Sequence, residues 1–389
     1  MKTTPEKNFS TTGKIGKSLL LLLPMTLLIF ILSTGGKPNF TSQVSLIAFL
    51  ITFFFFNILF FMILYKGKVD KFRAAGFITL ALFFALTFIV DLINARGTMT
   101  FNNETMLSCE IPFCHIVSTM IILPLIFSGG IIFPGSIIGG FASITSMLVI
   151  VLGVMIALGR GFCSWGCFYG GWDDGTSRIL RKPVIKKVNP AFRWAAFAVL
   201  IIVAIVSLIM VNPFYCDWLC PFKTVTEFEK VTSFTVLLKT ITFVSLFAAL
   251  VIILPLLTKK RIQCTTLCPM GALCSLSNKI NVFDVRIDKE KCNDCMLCTK
   301  ACPTMSLEKT DVANGKPSIT CMKCGKCIDA CNRSAINYHI KGTPVGKRVT
   351  LARMLFLYPA FTLLVLFTSG TMQQGIVLLV KLFTTGSLL

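Results

Sequence analysis

Seventeen cysteines stand in this 389-residue chain, most of them at short, regular intervals. Cys292-x2-Cys295-x2-Cys298-x3-Cys302-Pro303 is followed by Cys321-x2-Cys324-x2-Cys327-x3-Cys331. This is the bacterial two-cluster ferredoxin run, written twice. Three thiolates in tight turns hold three corners of one cubane, and the fourth cysteine of each run reaches the other cluster. On that rule Cys292, Cys295, Cys298 and Cys331 bind one [4Fe-4S] cluster, and Cys321, Cys324, Cys327 and Cys302 the second. Asn332 replaces the usual proline after Cys331, which leaves the ligands in place. Zinc is the competing chemistry, but zinc motifs pair two cysteines and then open a gap. Disulfide scaffolds are typically small and secreted. The chain has two histidines, His115 and His339, far apart in sequence and surroundings, which disfavours bis-histidine haem.

A second class of motif is C-x3-C: Cys163/Cys167, Cys216/Cys220 and Cys264/Cys268. On a helix such a pair projects from one face, so two pairs can close a four-thiolate site. Cys109 and Cys114 form a looser pair beside His115. The smaller features take plain expectations. Cys274 reads as a buried apolar thiol, and His115 as a solvated loop histidine, with ligation or a bond to sulfide as the alternative. Trp165 and Trp218 read as interfacial anchors. Asp91 lies in a membrane segment near a helix end, where a functional and a solvated aspartate are equally expected.

The elements that must position these residues are apolar. The chain is 54% hydrophobic and 14% charged, with a mean hydropathy of +0.79, more apolar surface than a soluble domain can hide. Its +21 net charge would suggest nucleic acid in a soluble protein. Here the basic residues flank apolar runs, the positive-inside pattern of membrane loops, so no nucleic-acid partner is expected. Runs approaching the ~20 residues needed to cross a bilayer lie at 18–34, 44–65, 74–93, 138–158, 194–211, 235–257 and 350–369. The basic N-terminal lead before the first run resembles a signal peptide, but the run itself reads as a first membrane helix. The stretch 116–134 is broken by Pro124, Gly129, Gly130 and Pro134 and reads as a re-entrant helix, a plain extra crossing being the alternative.

Alternation of the helices, with basic loops cytoplasmic, places the polar segment 258–349 in the cytoplasm. It puts Cys163, Cys167, Cys264 and Cys268 at the cytoplasmic edge, as four thiolates for a third cluster. Cys109, Cys114, Cys216 and Cys220 fall at the outer edge, as a fourth cluster or as disulfides. Across a hydrocarbon core of about 30 Å, two such sites need sinking on broken helices, or a bridging quinone, flavin or partner cofactor. The expected fold is an α-helical polytopic membrane protein of about six to eight helices, one of them re-entrant, with an inserted small α+β two-cluster ferredoxin-like domain. Its divisions are 1–257 transmembrane, 258–349 ferredoxin-like and 350–389 a C-terminal membrane helix and tail. No internal repeat or charge cluster is evident in the membrane segments, which weighs against a transporter.

The segments GRGFCSWGC and KRIQCTTLCPMGAL, with the doubled ferredoxin run, resemble the NosR/NapH group of polytopic iron–sulfur electron-transfer proteins. Copper-oxidase assembly factors are more distant relatives of that kind. The resemblance covers about 160–340 and is poor over the first 110 residues. It implies cytoplasmic clusters in the inner membrane and electron exchange with quinol or a redox partner, either a cytoplasmic ferredoxin-like donor or an outer-face flavoprotein or cytochrome. Phe168 stands where proline usually follows Cys167, and no flavin-attachment domain is present, so electron relay is the first expectation. A quinol dehydrogenase and a redox-sensing or metal-reducing maturation factor are the rivals. No catalytic residue is assigned.

Overall fold

The computed structural model describes residues 11–38, 40, 42–96, 100, 101, 114–129, 143–226, 228, 229 and 231–387. Hydrocarbon offers no partner for backbone N–H and C=O groups, so the apolar runs close their hydrogen bonds internally as helices. These are α1 (Thr11–Thr34), α2 (Gln43–Lys66) and α3 (Val69–Arg96), then the short α4 (Ser118–Ser128) and α5 (Ile144–Leu158). Two short helices follow, α6 (Phe162–Trp165) and α7 (Phe168–Ile179), and then α8 (Ala195–Met210). Next comes α9 (Phe234–Leu246), continued through a wide π-type turn to Thr258. Among the described residues, seven helices are long and apolar enough to cross a membrane: 15–34, 43–66, 69–91, 144–165, 190–210, 234–258 and 349–385.

Ends are marked by local chemistry. Ser42 and Ser45 form a reciprocal cap at the start of α2, and Gly67 closes its end in the left-handed region. With 11 residues, α4 reaches about 16 Å, too short to cross a hydrocarbon core of about 30 Å.

The polar insert begins with α10 (Ile262–Thr266) and α11 (Pro269–Ser277). Its ferredoxin part pairs β1 (Phe283–Ile287) antiparallel with β2 (Ile336–Ile340), with Val285 opposite Tyr338. Between the strands lie α12 (Leu297–Ala301) and α13 (Lys326–Ala330), packed on each other. The last helix, α14 (Val349–Thr385), runs unbroken for 37 residues. The apolar run at 350–369 thus continues as one helix to Thr385. Neither Pro359 nor Gly370 stops the helix, because α3 packs along it so closely that a Cβ on Gly375 would strike Phe83.

The insert is seated on the bundle. Asp329 takes the backbone N–H groups of Val69 and Asp70 at 2.9 Å each, capping α3 from the ferredoxin side. Tyr338 stacks on Phe356 of α14 with ring centroids 4.2 Å apart. Beneath them Arg73 bonds Asp70 and Asp174 at 2.8 Å, while Arg178 bonds the same two carboxylates at 2.7 and 3.1 Å. A charge cluster thus does exist at the head of α3. It escaped the sequence because its halves are about a hundred residues apart.

Candidate iron–sulfur sites

Each half of the ferredoxin run wraps a short helix, with the third cysteine inside it and the fourth just past its end: Cys298 and Cys302 at α12, Cys327 and Cys331 at α13. Asp294, Met296 and Lys323 sit at positive φ in the turns between cysteines, as does Gly325. The turn opening α13 is tight, since a Cβ on Gly325 would lie 3.0 Å from the Tyr338 hydroxyl.

One half of the crossed grouping has a geometric counterpart. Cys302 lies within electrostatic range of Cys321, Cys324 and Cys327, although 19 or more positions separate them in sequence. Those four thiols line one small cavity. Cys298 likewise neighbours Cys292 and Cys295, the latter exposed. Among the described residues no three His, Cys, Asp or Glu side chains converge tightly enough to hold a single metal ion. A cubane takes one thiolate on each iron. Donor type and grouping fit iron–sulfur clusters.

The segments carrying Cys163/Cys167 and Cys264/Cys268 begin against the ferredoxin part and turn inward from there. From Leu158, whose carbonyl meets Lys323 of the ferredoxin part at 3.1 Å, the chain turns back into the bundle. It reaches Phe168, stacked 3.6 Å from Phe84 in mid-α3, and returns along α7 to Arg178 beside Asp70. The segment after Arg261 also folds inward, and it ends at Asn278, which takes the Arg160 N–H at 3.1 Å.

Cys167 neighbours Cys163 and Cys268, Cys264 neighbours Cys167 and Cys268, and Cys268 neighbours Cys163. The four thiols that the two segments contribute share one buried region. Cys274 is buried as expected, but directly beside Cys163.

Two arginines cross between the segments. Arg160 Nη2 donates to the Cys264 carbonyl at 2.8 Å, and Arg261 Nη2 donates to the Cys163 carbonyl at 2.9 Å. Both side chains are fully buried. The reading of sequence missed these arginines, although the repeated spacing R-x2-C-x3-C-x2-G, from Arg160 to Gly170 and from Arg261 to Gly271, carries the signal.

The remaining pair lies close by. Cys216 and Cys220 flank a wide turn after α8 and neighbour Cys114; Cys109 lies outside the described residues. Tyr169 sits 3.6 Å from Cys114 and stacks on Phe222, while Tyr215 lies within electrostatic range of both Cys220 and Cys268.

His115 is buried, with its Nε2 3.3 Å from the Cys167 sulfur. Burial pushes it down to about 3, so the ring is neutral. The solvated loop histidine is thus a core residue between two thiol groups. Trp165 is likewise no lipid anchor; it is fully buried against Phe356. Trp218 lies under Lys239, and Asp91 accepts from Gln374 at 2.7 Å.

Comparison with known proteins agrees with this layout. A family model described as a 4Fe-4S dicluster domain matches residues 284–332, and one described as a 4Fe-4S binding domain matches 140–187, 192–231 and 240–288. The second is an internal repeat, each copy holding one C-x3-C pair. The expectation that no repeat exists is therefore corrected. The ferredoxin-type protein NapH of Escherichia coli is 26% identical over 49% of this chain and 65% of its own length. A Methanocaldococcus jannaschii protein is 26% identical over 50% of this chain and 70% of its own. The regulatory protein NosR of Stutzerimonas stutzeri is 24% identical over 46% of this chain and 26% of its own. About half of the chain thus carries the similarity. No solved structure matches.

Proposed function

We propose that this chain, a multi-pass membrane iron–sulfur protein of the NosR/NapH type, relays electrons between a soluble partner at its ferredoxin part and an acceptor or donor at the far ends of its helices. Four clusters carry the relay, each able to take up or release one electron. Two are held by the ferredoxin cysteines in crossed sets. A third is held by Cys163, Cys167, Cys264 and Cys268, and a fourth by Cys109, Cys114, Cys216 and Cys220. The ferredoxin part faces the cytoplasm of an inner-membrane protein, because the basic loops gather on its side.

The observation that carries this reading is continuity. From exposed Cys295 to half-buried Cys114 the thiol groups follow one another, linked by Cys298 near Cys327, by Arg261 between Met322 and Cys264, and by His115 beside Cys167. Sites held on inward-folded segments would shorten the step that a relay across the hydrocarbon core must make.

The test uses full-length protein in sealed vesicles, with dithionite as an impermeant reductant on the ferredoxin side and ferricyanide enclosed on the other. Reduction of the enclosed ferricyanide, lost in Cys163→Ala and in Cys216→Ala, is expected. Transfer only to an added lipid-phase quinone would replace the relay with a quinone-linked enzyme.

A further inference from the structure

The two cysteine groups of the ferredoxin part are not equivalent. One has Cys295 exposed to solvent. The other presents its Cys321–Cys324 loop to the inward-folded segments. Met322, 1% exposed, accepts from Arg261 Nη1 at its sulfur (2.9 Å) and from Ser164 Oγ at its carbonyl (2.6 Å). The flanking carbonyls of Thr320 and Cys321 accept from Arg160 Nη1 at 2.6 Å and Asn278 Nδ2 at 2.8 Å. Arg261 reaches further. Its Nη2 lies 3.3 Å from the Cys264 sulfur and donates to the carbonyls of Cys163 and Gly170. One buried guanidinium therefore touches a thiol of the membrane group and the residue between two thiols of the ferredoxin group.

We infer that Arg261 is a positioning residue that couples the centre of Cys302, Cys321, Cys324 and Cys327 to that of Cys163, Cys167, Cys264 and Cys268. The centre containing Cys295 is then the port for a soluble redox partner. This rests on the relay reading and gives it an order. The step is a one-electron exchange, in which one centre is oxidised as the other is reduced, with no bond made or broken. A fixed positive charge and an N–H donated to a cluster thiolate both favour the reduced, more negative state, so Arg261 raises the potential of the membrane centre.

The test is an EPR redox titration of the detergent-solubilised full-length protein, poised with dithionite and mediators. Arg261→Gln is expected to lower the midpoint of the membrane centre by a tenfold change in its oxidised-to-reduced ratio, about 59 mV for one electron. Arg261→Lys should recover part of that shift, and the Cys295-containing centre should not move. In the unmodified protein, spin–spin interaction should join the membrane centre to the Cys302-containing one and should survive Cys295→Ser.

An unmoved midpoint in Arg261→Gln with full iron content, or an interaction abolished by Cys295→Ser yet retained in Cys324→Ser, would overturn the inference. If Arg261→Gln loses iron, the interaction pattern in the unmodified protein decides alone, and Met322→Leu tests the sulfur contact. Iron for two centres only in the unmodified protein would sink the relay reading itself. Three or four centres coupled in another order would sink only this assignment.

Discussion

Cys302 shows how much a single position decides. It follows one ferredoxin run by sequence but lines the cavity of the other. Cys302→Ser is expected to damage the centre whose other ligands are Cys321, Cys324 and Cys327 while the Cys292-containing signal persists; EPR of the reduced protein reads the difference, and loss of the nearer centre alone would refute crossing. Asp174 is the matching test among the charges. Burial opposes its ionisation, but Arg73 and then Arg178 overcome that and hold its carboxyl below the usual range. Asp174→Ala leaves buried Arg73 and half-buried Arg178 facing one carboxylate, and a loss of about 3 kcal/mol is expected, seen as a lowered thermal midpoint in detergent at pH 7. Because the folded carboxyl is depressed, its contribution is complete above the unfolded value of about 3.9. It is lost as the pH falls below that towards the folded value. The difference between Asp174→Ala and the unmodified protein should therefore narrow in acid.

At the scale of elements, two inward-folded segments are clasped back to back by Arg160 and Arg261. The clasp needs glycine at each return. A Cβ on Gly170 would sit 2.4 Å from Arg261 Nη2 and 2.6 Å from the Cys163 carbonyl, and one on Gly271 would sit 2.8 Å from the Cys264 carbonyl. Gly170→Ala should thus abolish the membrane centre while both ferredoxin centres remain, as counted by iron and acid-labile sulfide per chain. Cys163→Ala and Cys264→Ala should each remove that same EPR signal, although the residues lie about a hundred positions apart. Two different signals lost would mean that the pairs serve separate sites.

For the whole molecule, the question is whether the thiol groups make a complete path. Cys114, Cys216 and Cys220 cluster around Tyr169, and Cys109 is the fourth thiolate the path requires. Iron for four clusters per chain, with these cysteines protected from alkylation until the iron is removed, is the expected result. Iron for two or three, with Cys109 and Cys114 reacting only after disulfide reduction, would end the path at the Cys163/Cys264 site. His115 makes a finer test. It lies between the two membrane groups, so His115→Phe should slow electron exchange between them while leaving iron content unchanged.

The sequence alone determined the iron–sulfur chemistry and the polytopic helical fold. Cysteine spacing is set by how a short turn meets a cubane, and helix length by bilayer thickness; both are local quantities written in consecutive residues. It did not determine depth or neighbourhood. Short polar segments with basic flanks look like edge loops, and nothing local reveals that Phe168 stacks on Phe84 in mid-helix or that Arg261 reaches Cys163. Those placements depend on which distant segments satisfy a buried guanidinium and which glycines admit a crossing backbone. Tertiary packing decided them, because burying an arginine requires partners that only the folded chain can bring together.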